Sequence, residues 1–383
     1  MNAHAALDLV GTERFEIVRT GHRLAEIGPA WTDLWRRVDG LAFQSHDWIT
    51  AWWETAPDQS QRELRIGLGW SGNTLIAVVP LATARRKGLR MLEWAASSYC
   101  DYGDILMAPE CPPAALQRLW TQLSAGGGFD IAFLNRLLPD ATFRRLLAQP
   151  PTGVRLRPNH RSEASYRVTG DWTSGTAWYE SQSKKTRQNY RRGRKTLEEA
   201  GRLEFRLLGP DEPMAPVLER LSALKRKWLA ARDHESELFD EGAPALAALV
   251  DVLARLGILR VFVLECDGVL IAVSINFVQR DTMMAFVTTY DPDFERASPG
   301  VLLMMDYIQW SIDNGLDMVD FLCGAEPFKL RFATSSVTLD TVMGVRTPQG
   351  SLASLADRVR HTIRTARERR RVTAPAVPEE LSA

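Results

Sequence analysis

Two β-hairpins far apart in the chain carry the same four apolar residues at the same offset from their turns. In the first, ELRIGLGW leads to a turn at Ser71-Gly72-Asn73 and on to TLIAVVPLATARR. In the second, LRVFVLE leads to a turn at Asp267-Gly268 and on to VLIAVSINFV. Gly and Asn supply the positive φ that tight hairpin turns require. Leu75-Ile76-Ala77-Val78 and Leu270-Ile271-Ala272-Val273 therefore hold equivalent places in two copies of one pattern.

The surroundings repeat as well. In the first copy a strand, FEIVRT, precedes helical stretches at 24–38 and 45–55 and then the hairpin. A strand near 89–95, the polar loop SSYCDYGD, a helix at 112–123 stopped by Gly126-Gly127-Gly128, and the strand FDIAFLNRL follow. In the second copy the strand RLEFRLL precedes helices at 213–232 and 244–256 and the second hairpin. The strand TMMAFVTTY, the loop DPDFERASP, a helix from Gly300 to Asn314, the strand LDMVDFLCG, a short helix PFKLRFA and a last strand close it. This order predicts an α/β (α+β) architecture of mixed sheets in two tandem domains. The expected divisions are 1–150, 160–350, and 351–383 as a basic amphipathic helix with a disordered tail. A proline-rich linker at 150–159 and a helical segment at 176–200 join the two copies.

Charge and cysteine usage narrow the function classes. The 383 residues carry 47 Lys+Arg against 47 Asp+Glu, so no general attraction to nucleic acid or acidic membrane exists and any basic site must be local. Cys100, Cys111, Cys266 and Cys323 show no zinc spacing and read as free, mostly buried thiols. His234, Glu235, Glu237 and Asp240 form a metal-like cluster only at first sight, since one histidine has no second nearby, and no metal is expected. The first residues lack a signal-peptide pattern and no window suits a spanning helix, so a cytoplasmic protein without stable membrane insertion is expected.

At 285–314 a strand ends at Tyr290, and a loop with Arg296 and Pro299-Gly300 opens a helix. Helix N-termini suit phosphate groups, and glycine allows close approach. The words WYESQSKKTRQNYRRGRKTLEEAGRLEFRLL, LKRKW, VFVLECDGVLIAVSINF, TTYDPDFERASPGVLLMMDYIQWSIDNG and DFLCGAEPFKLRFA resemble the CelD/BcsL-type GNAT acetyltransferases, twin-GNAT proteins related to the FemAB aminoacyltransferases. The likeness covers about 178–347, and the first copy fits the degenerate first repeat of such proteins.

That resemblance implies acyl transfer from acyl-CoA, such as acetyl-CoA, to an amine or hydroxyl of a small-molecule or glycan acceptor, in polysaccharide or other envelope metabolism. It implies donor binding at Val287, Thr288, Arg296, Gly300 and Val301, although the usual glycine-rich loop is not intact in Arg296-Ala297-Ser298-Pro299-Gly300. Where the next strand ends, Glu326 is a candidate general base and Lys329 a candidate for stabilising negative charge. Asp320 joins them, and Tyr290 is a candidate acid for the leaving thiolate. Asp101, Tyr102 and Asp104 would meet the acceptor. Arg187 and Arg191 share a helical face in the acid-free stretch Lys184–Lys195, a candidate seat for an anionic ligand. Alternatives are a FemAB-like transferase using aminoacyl-tRNA, the one nucleic acid expected, and a non-catalytic GNAT-fold module.

Overall fold

The computed structural model describes residues 13–148, 153–231, 233, 236–240, 242 and 244–373. The beginning of the chain, part of the expected linker, His234, Glu235 and the expected tail lie outside the described residues.

One continuous sheet runs through the molecule. Its order is Leu203–Leu207, Leu259–Cys266, Val269–Gln279, Thr282–Tyr290, Met318–Cys323, Glu163–Thr169, Ser335–Val345, Ile131–Leu137, Leu89–Trp94, Leu81–Arg86 and Arg62–Leu64. A smaller sheet holds Glu13–Val18, Ile66–Ser71, Thr74–Val79 and Leu106–Met107. The duplication legible in the sequence is visible as topology. In each copy a hairpin strand is followed by a strand whose partner, after a helix, returns parallel to it: Leu89–Trp94 with Ile131–Leu137, and Thr282–Tyr290 with Met318–Cys323.

The copies exchange their closing strands. Glu163–Thr169 follows the first copy but pairs with Met318–Cys323 of the second. Ser335–Val345 follows the second copy, pairs with Glu163–Thr169 through its first half, and pairs with Ile131–Leu137 of the first copy through the rest. Helices cross the junction too: His46–Thr55 packs against Ala245–Arg255. Phe43 meets Phe277 edge-on at 5.7 Å and Trp48 meets Phe286 at 5.5 Å. The largest buried apolar cluster accordingly contains residues of both copies, among them Trp48, Leu134, Leu249 and Phe277.

Three expected elements differ in detail. The segment TLIAVVPLATARR is two strands in two sheets, because Pro80 has no N–H for the ladder and breaks it. The helical segment at 176–200 is two helices, Gly175–Ser181 and Lys184–Ala200, the second capped by the Ser183 hydroxyl accepting from Thr186 N at 3.1 Å. The stretch 24–38 divides at Ile27 into Gly21–Glu26 and Gly28–Arg37. Among the described residues no helix is long and apolar enough to cross a membrane.

Candidate functional site

The second copy opens a cleft where its parallel strands part. Thr282, Met283 and Met284 pair with Met318, Val319 and Asp320, and the pairing goes no further. On the other edge the register with Val269–Gln279 shifts between Ile275 and Asn276, leaving Phe286 as a bulge at the point of divergence. From Ala285 onward the inner edge of this strand faces a cavity of about 340 Å³. The helix Pro299–Asp313 starts at its mouth. Gly300 is required there by packing, since a Cβ would lie 2.9 Å from the Tyr290 ring.

The equivalent cleft of the first copy is closed. Its strands pair only at Met91–Ile131 and Leu92–Ala132, but the Trp94 indole then donates to Asn135 O at 2.9 Å and spans the gap. Phe143 packs edge-on against Trp94 at 5.2 Å. The loop that follows Trp94 takes the freed edge: Gly103 N donates to Arg136 O at 3.0 Å, and Arg136 Nη1 donates to Cys100 O at 2.6 Å. The same loop carries Ser98, Tyr99 and Asp101 into the wall of the second copy's cleft.

One end of the open cleft is charged. Asp101 Oδ1 accepts from Cys323 N at 3.2 Å, and burial holds its carboxyl above the ordinary aspartate range. Lys329, 7% exposed, donates from Nζ to Cys323 O at 2.5 Å and pairs with Glu326 Oε2 at 3.0 Å. Arg136 lines the same end. Burial pushes the Cys323 thiol up, away from thiolate character, so it is not an activated nucleophile.

The other end adjoins a cationic recess of about 150 Å³ that shares Val301 with the cleft. Arg192, Arg296, Arg331 and Ser298 line it at the N-terminus of Pro299–Asp313. Ser298 adopts a left-handed conformation with φ of 54°, a strained state that non-glycine residues keep only where their surroundings impose it. The basic helix Lys184–Ala200 reaches this loop because Gly193 lacks a Cβ, which would lie 2.5 Å from Ala297 O. Tyr190 donates to Asp306 and Arg194 pairs with Asp306 at 3.5 Å, fastening the two helices.

The structure gathers Asp101, Val287, Thr288, Tyr290, Gly300, Val301, Glu326 and Lys329 around one cavity and sets Arg296 in the adjoining recess. Five expected residues stand elsewhere. Asp320 does not line the cleft: it is 1% exposed and accepts from Tyr102 OH at 2.7 Å, Ser165 Oγ at 2.7 Å, Arg167 Nε at 3.0 Å and Leu322 N at 2.8 Å. Tyr102 is buried with its hydroxyl committed to Asp320 and Ser165, so its ring is not offered to an acceptor. Asp104 accepts from the backbone N–H groups of Ile105, Thr142 and Phe143, each at 2.8 Å, and turns away from the cleft. Arg187 and Arg191 lie off the recess, because the face of their helix that meets the loop is Thr186, Asn189, Tyr190 and Gly193. Arg191 Nε instead donates to Tyr179 OH at 3.1 Å.

Sequence reasoning missed Arg136, Lys225, Trp228, Tyr307 and Arg331, and it includes Arg192 only within the basic stretch Lys184–Lys195. Lys225 and Trp228 form a wall, with Nζ 4.7 Å from the indole centroid and 3.5 Å from Thr288 O. The word LKRKW holds both residues but says nothing of their target. Among the described residues, no group of three or more His, Cys, Asp or Glu side chains is placed to hold a metal.

Residues 184–330 match the family described as acetyltransferase (GNAT) domain. None of the curated protein sequences matches the chain significantly. Among solved structures, the chain is similar to the C-terminal domain of a protein provisionally named lysylphosphatidylglycerol synthetase from Agrobacterium fabrum, at 14% identity, TM-score 0.53, covering 87% of this chain and 94% of that one. It is similar to FemX at 8% identity and TM-score 0.53, covering 85% and 96%. A tandem GNAT protein from the clavulanic acid biosynthesis pathway aligns at 10% identity and TM-score 0.46, covering 86% and 98%. Residues 184–330 thus resemble acetyltransferase (GNAT) domains, within a mixed α/β fold that the chain shares with the first two of these solved structures. No CelD/BcsL-type match stands among these findings.

Proposed function

We propose that the second half transfers an acyl group from acyl-CoA to an amine or hydroxyl acceptor. One observation carries this reading: parting parallel strands make a cleft that runs from a cationic recess at a helix N-terminus to a half-buried carboxyl contributed by the other half. The recess suits the donor's diphosphate, with Arg192, Arg296 and Arg331 supplying charge and the helix dipole adding to it. The apolar section between Val287, Met304 and Phe321 suits the pantetheine arm and the acyl group.

In this reading the unpaired edge near Val287 and Thr288 offers a hydrogen-bond donor to the thioester oxygen, whose charge grows in the transition state. Asp101, rather than the rim residue Glu326, takes the proton from the acceptor, because its raised pKa brings it nearer to working pH. Lys329, held by Glu326 and Cys323 O, and Arg136 set cations beside that carboxyl. The acceptor's N–H or O–H attacks the carbonyl carbon, the C–S bond breaks, and the thiolate leaves with Tyr290 at the strand end as its proton source. An envelope glycan is the acceptor class we favour, entering between the halves.

The second reading, transfer from an aminoacyl-tRNA, draws on one observation: Lys184, Lys185, Arg191 and Lys195 are exposed along one helix. Thiol release separates the readings. The native chain with acetyl-CoA and a panel of amines and amino sugars is expected to liberate free thiol, and Asp101→Asn to abolish it. Release only from aminoacyl-tRNA supports the second reading. Donor binding without any release indicates a non-catalytic module.

A further inference from the structure

The last helix, Pro348–Thr373, has one face held by the body and an opposite face that no other described residue covers. The held face is spaced at helical intervals. Thr347 Oγ1 donates to Asp130 Oδ1 at 2.7 Å just before the helix, a Cβ on Gly350 would meet Asp130 O, and Ser354 is buried. Asp357 pairs with Arg161 at 2.5 Å and with His160 at 3.4 Å, and His361 stacks on His160 with centroids 3.9 Å apart.

Opposite lie Leu352, Leu355, Val359 and Ile363, exposed by 70, 60, 49 and 47%. They recur at helical spacing and form a stripe ~16 Å long at 1.5 Å per residue. Among the described residues six large hydrophobic side chains are exposed, and four of them are these. Concentration on one face, rather than scatter, distinguishes a binding surface from ordinary surface apolarity.

The flanks decide the occupant. Arg358 lies on one side of the stripe and Arg360 and Arg364 on the other, and the sequence goes on to Arg367, Arg369, Arg370 and Arg371. From 348 to 366 the only acid is Asp357, which is already committed to Arg161 on the body side. A second copy docking stripe to stripe would bring arginines against arginines. A bilayer surface with anionic headgroups complements both features: acyl chains accept the leucines while phosphates meet the guanidinium groups at headgroup level. Arg360 and Arg364 also reach toward the body, where they line a cavity of about 300 Å³ with His160, Arg161, Asp357 and His361.

We propose that this helix lies in the plane of an anionic lipid surface, its Leu352–Ile363 stripe in the acyl boundary and its arginines among the phosphates. The proposal is independent of the acyl-transfer reading and concerns a peripheral contact, not a spanning one.

Co-sedimentation of the full chain with vesicles tests it. Phosphatidylcholine mixed with phosphatidylglycerol is expected to bind the chain about tenfold more than phosphatidylcholine alone, with binding weakening as salt rises. Leu355→Glu combined with Val359→Glu is expected to abolish binding while circular dichroism and the melting temperature stay unchanged, since both side chains are exposed. Equal binding to both vesicle types, no binding to either, or unaltered binding by the double variant overturns the proposal. Light scattering that finds a dimer converted to monomer by the same variant also overturns it and assigns the stripe to a second copy.

Discussion

Asp101 and Tyr102 are neighbours in the chain with opposite fates, and the difference sets two predictions. Asp101 faces the cleft with a carboxyl that burial makes hard to ionise. A raised folded-state pKa means the folded chain holds this proton more tightly than the unfolded chain. The resulting stability is present below the unfolded pKa and is lost as pH rises through the folded one. Asp101→Asn is therefore expected to leave the melting temperature unchanged or raise it at neutral pH, while lowering kcat by about 10²–10⁴-fold, the usual share of a general base. The native rate should fall as pH drops, at a point above the ordinary aspartate range, and the variant should lose that limb. A pH profile with the limb intact in Asp101→Asn would remove the assignment. Tyr102→Phe should do the reverse. It deprives Asp320 and Ser165 of a hydroxyl at 2.7 and 2.8 Å, so urea unfolding should show a loss of about 1–3 kcal/mol with activity per folded molecule retained. The motif YCDYGD announces a polar loop near a strand end, but side-chain direction along it depends on partners far away in sequence, Cys323 for one residue and Asp320 for the next. The sequence therefore points to all three residues alike, and the fold turns only Asp101 to the cleft wall.

The basic helix Lys184–Ala200 shows how much of an element is legible. Its existence and its run of cations can be read directly, and i, i+4 spacing points to Arg187 and Arg191 as its working face. The face is instead chosen by a small residue: only Gly193 allows the helix to touch Ala297 O. Gly193→Ala is expected to push the helix off the loop and weaken donor binding by about tenfold, measured by calorimetry, whereas Arg187→Ala should change it little. Attachment of this helix is also pH-dependent. Burial raises the Asp306 carboxyl beneath Tyr190 to about 6 from a reference of 3.8, so stability should decline as pH rises across that window. Asp306→Asn should flatten the decline in melting temperature. The loop at the helix N-terminus departs from a glycine-rich pattern, and the structure supplies the reason: Gly300 is reserved for the Tyr290 ring, and Ser298 takes the left-handed turn that a glycine would take more easily.

At the scale of the molecule, the repeat in the sequence predicted two copies of one fold, and the sheet order displays them. The exchange of closing strands was not legible. Glu163–Thr169 alternates only weakly between buried and exposed positions and has no hairpin turn to mark it, and its partners lie more than a hundred residues away. The closing of the first cleft was equally hidden, since a tryptophan in a strand reads as core until Asn135 O is found beneath its indole. Because the exchanged strands stitch one sheet through both copies, thermal unfolding should proceed as a single transition whose calorimetric and van't Hoff enthalpies agree. Two separate transitions would show that the copies melt independently.

The claim on which the functional account stands is that the recess and the cleft together hold an acyl-CoA. Isothermal titration of the native chain with acetyl-CoA measures this directly. One saturable site is expected, weakened about tenfold or more when Arg192 and Arg296 are both replaced by alanine. No heat with acetyl-CoA or longer acyl-CoAs, or undiminished affinity in the double variant, would contradict it.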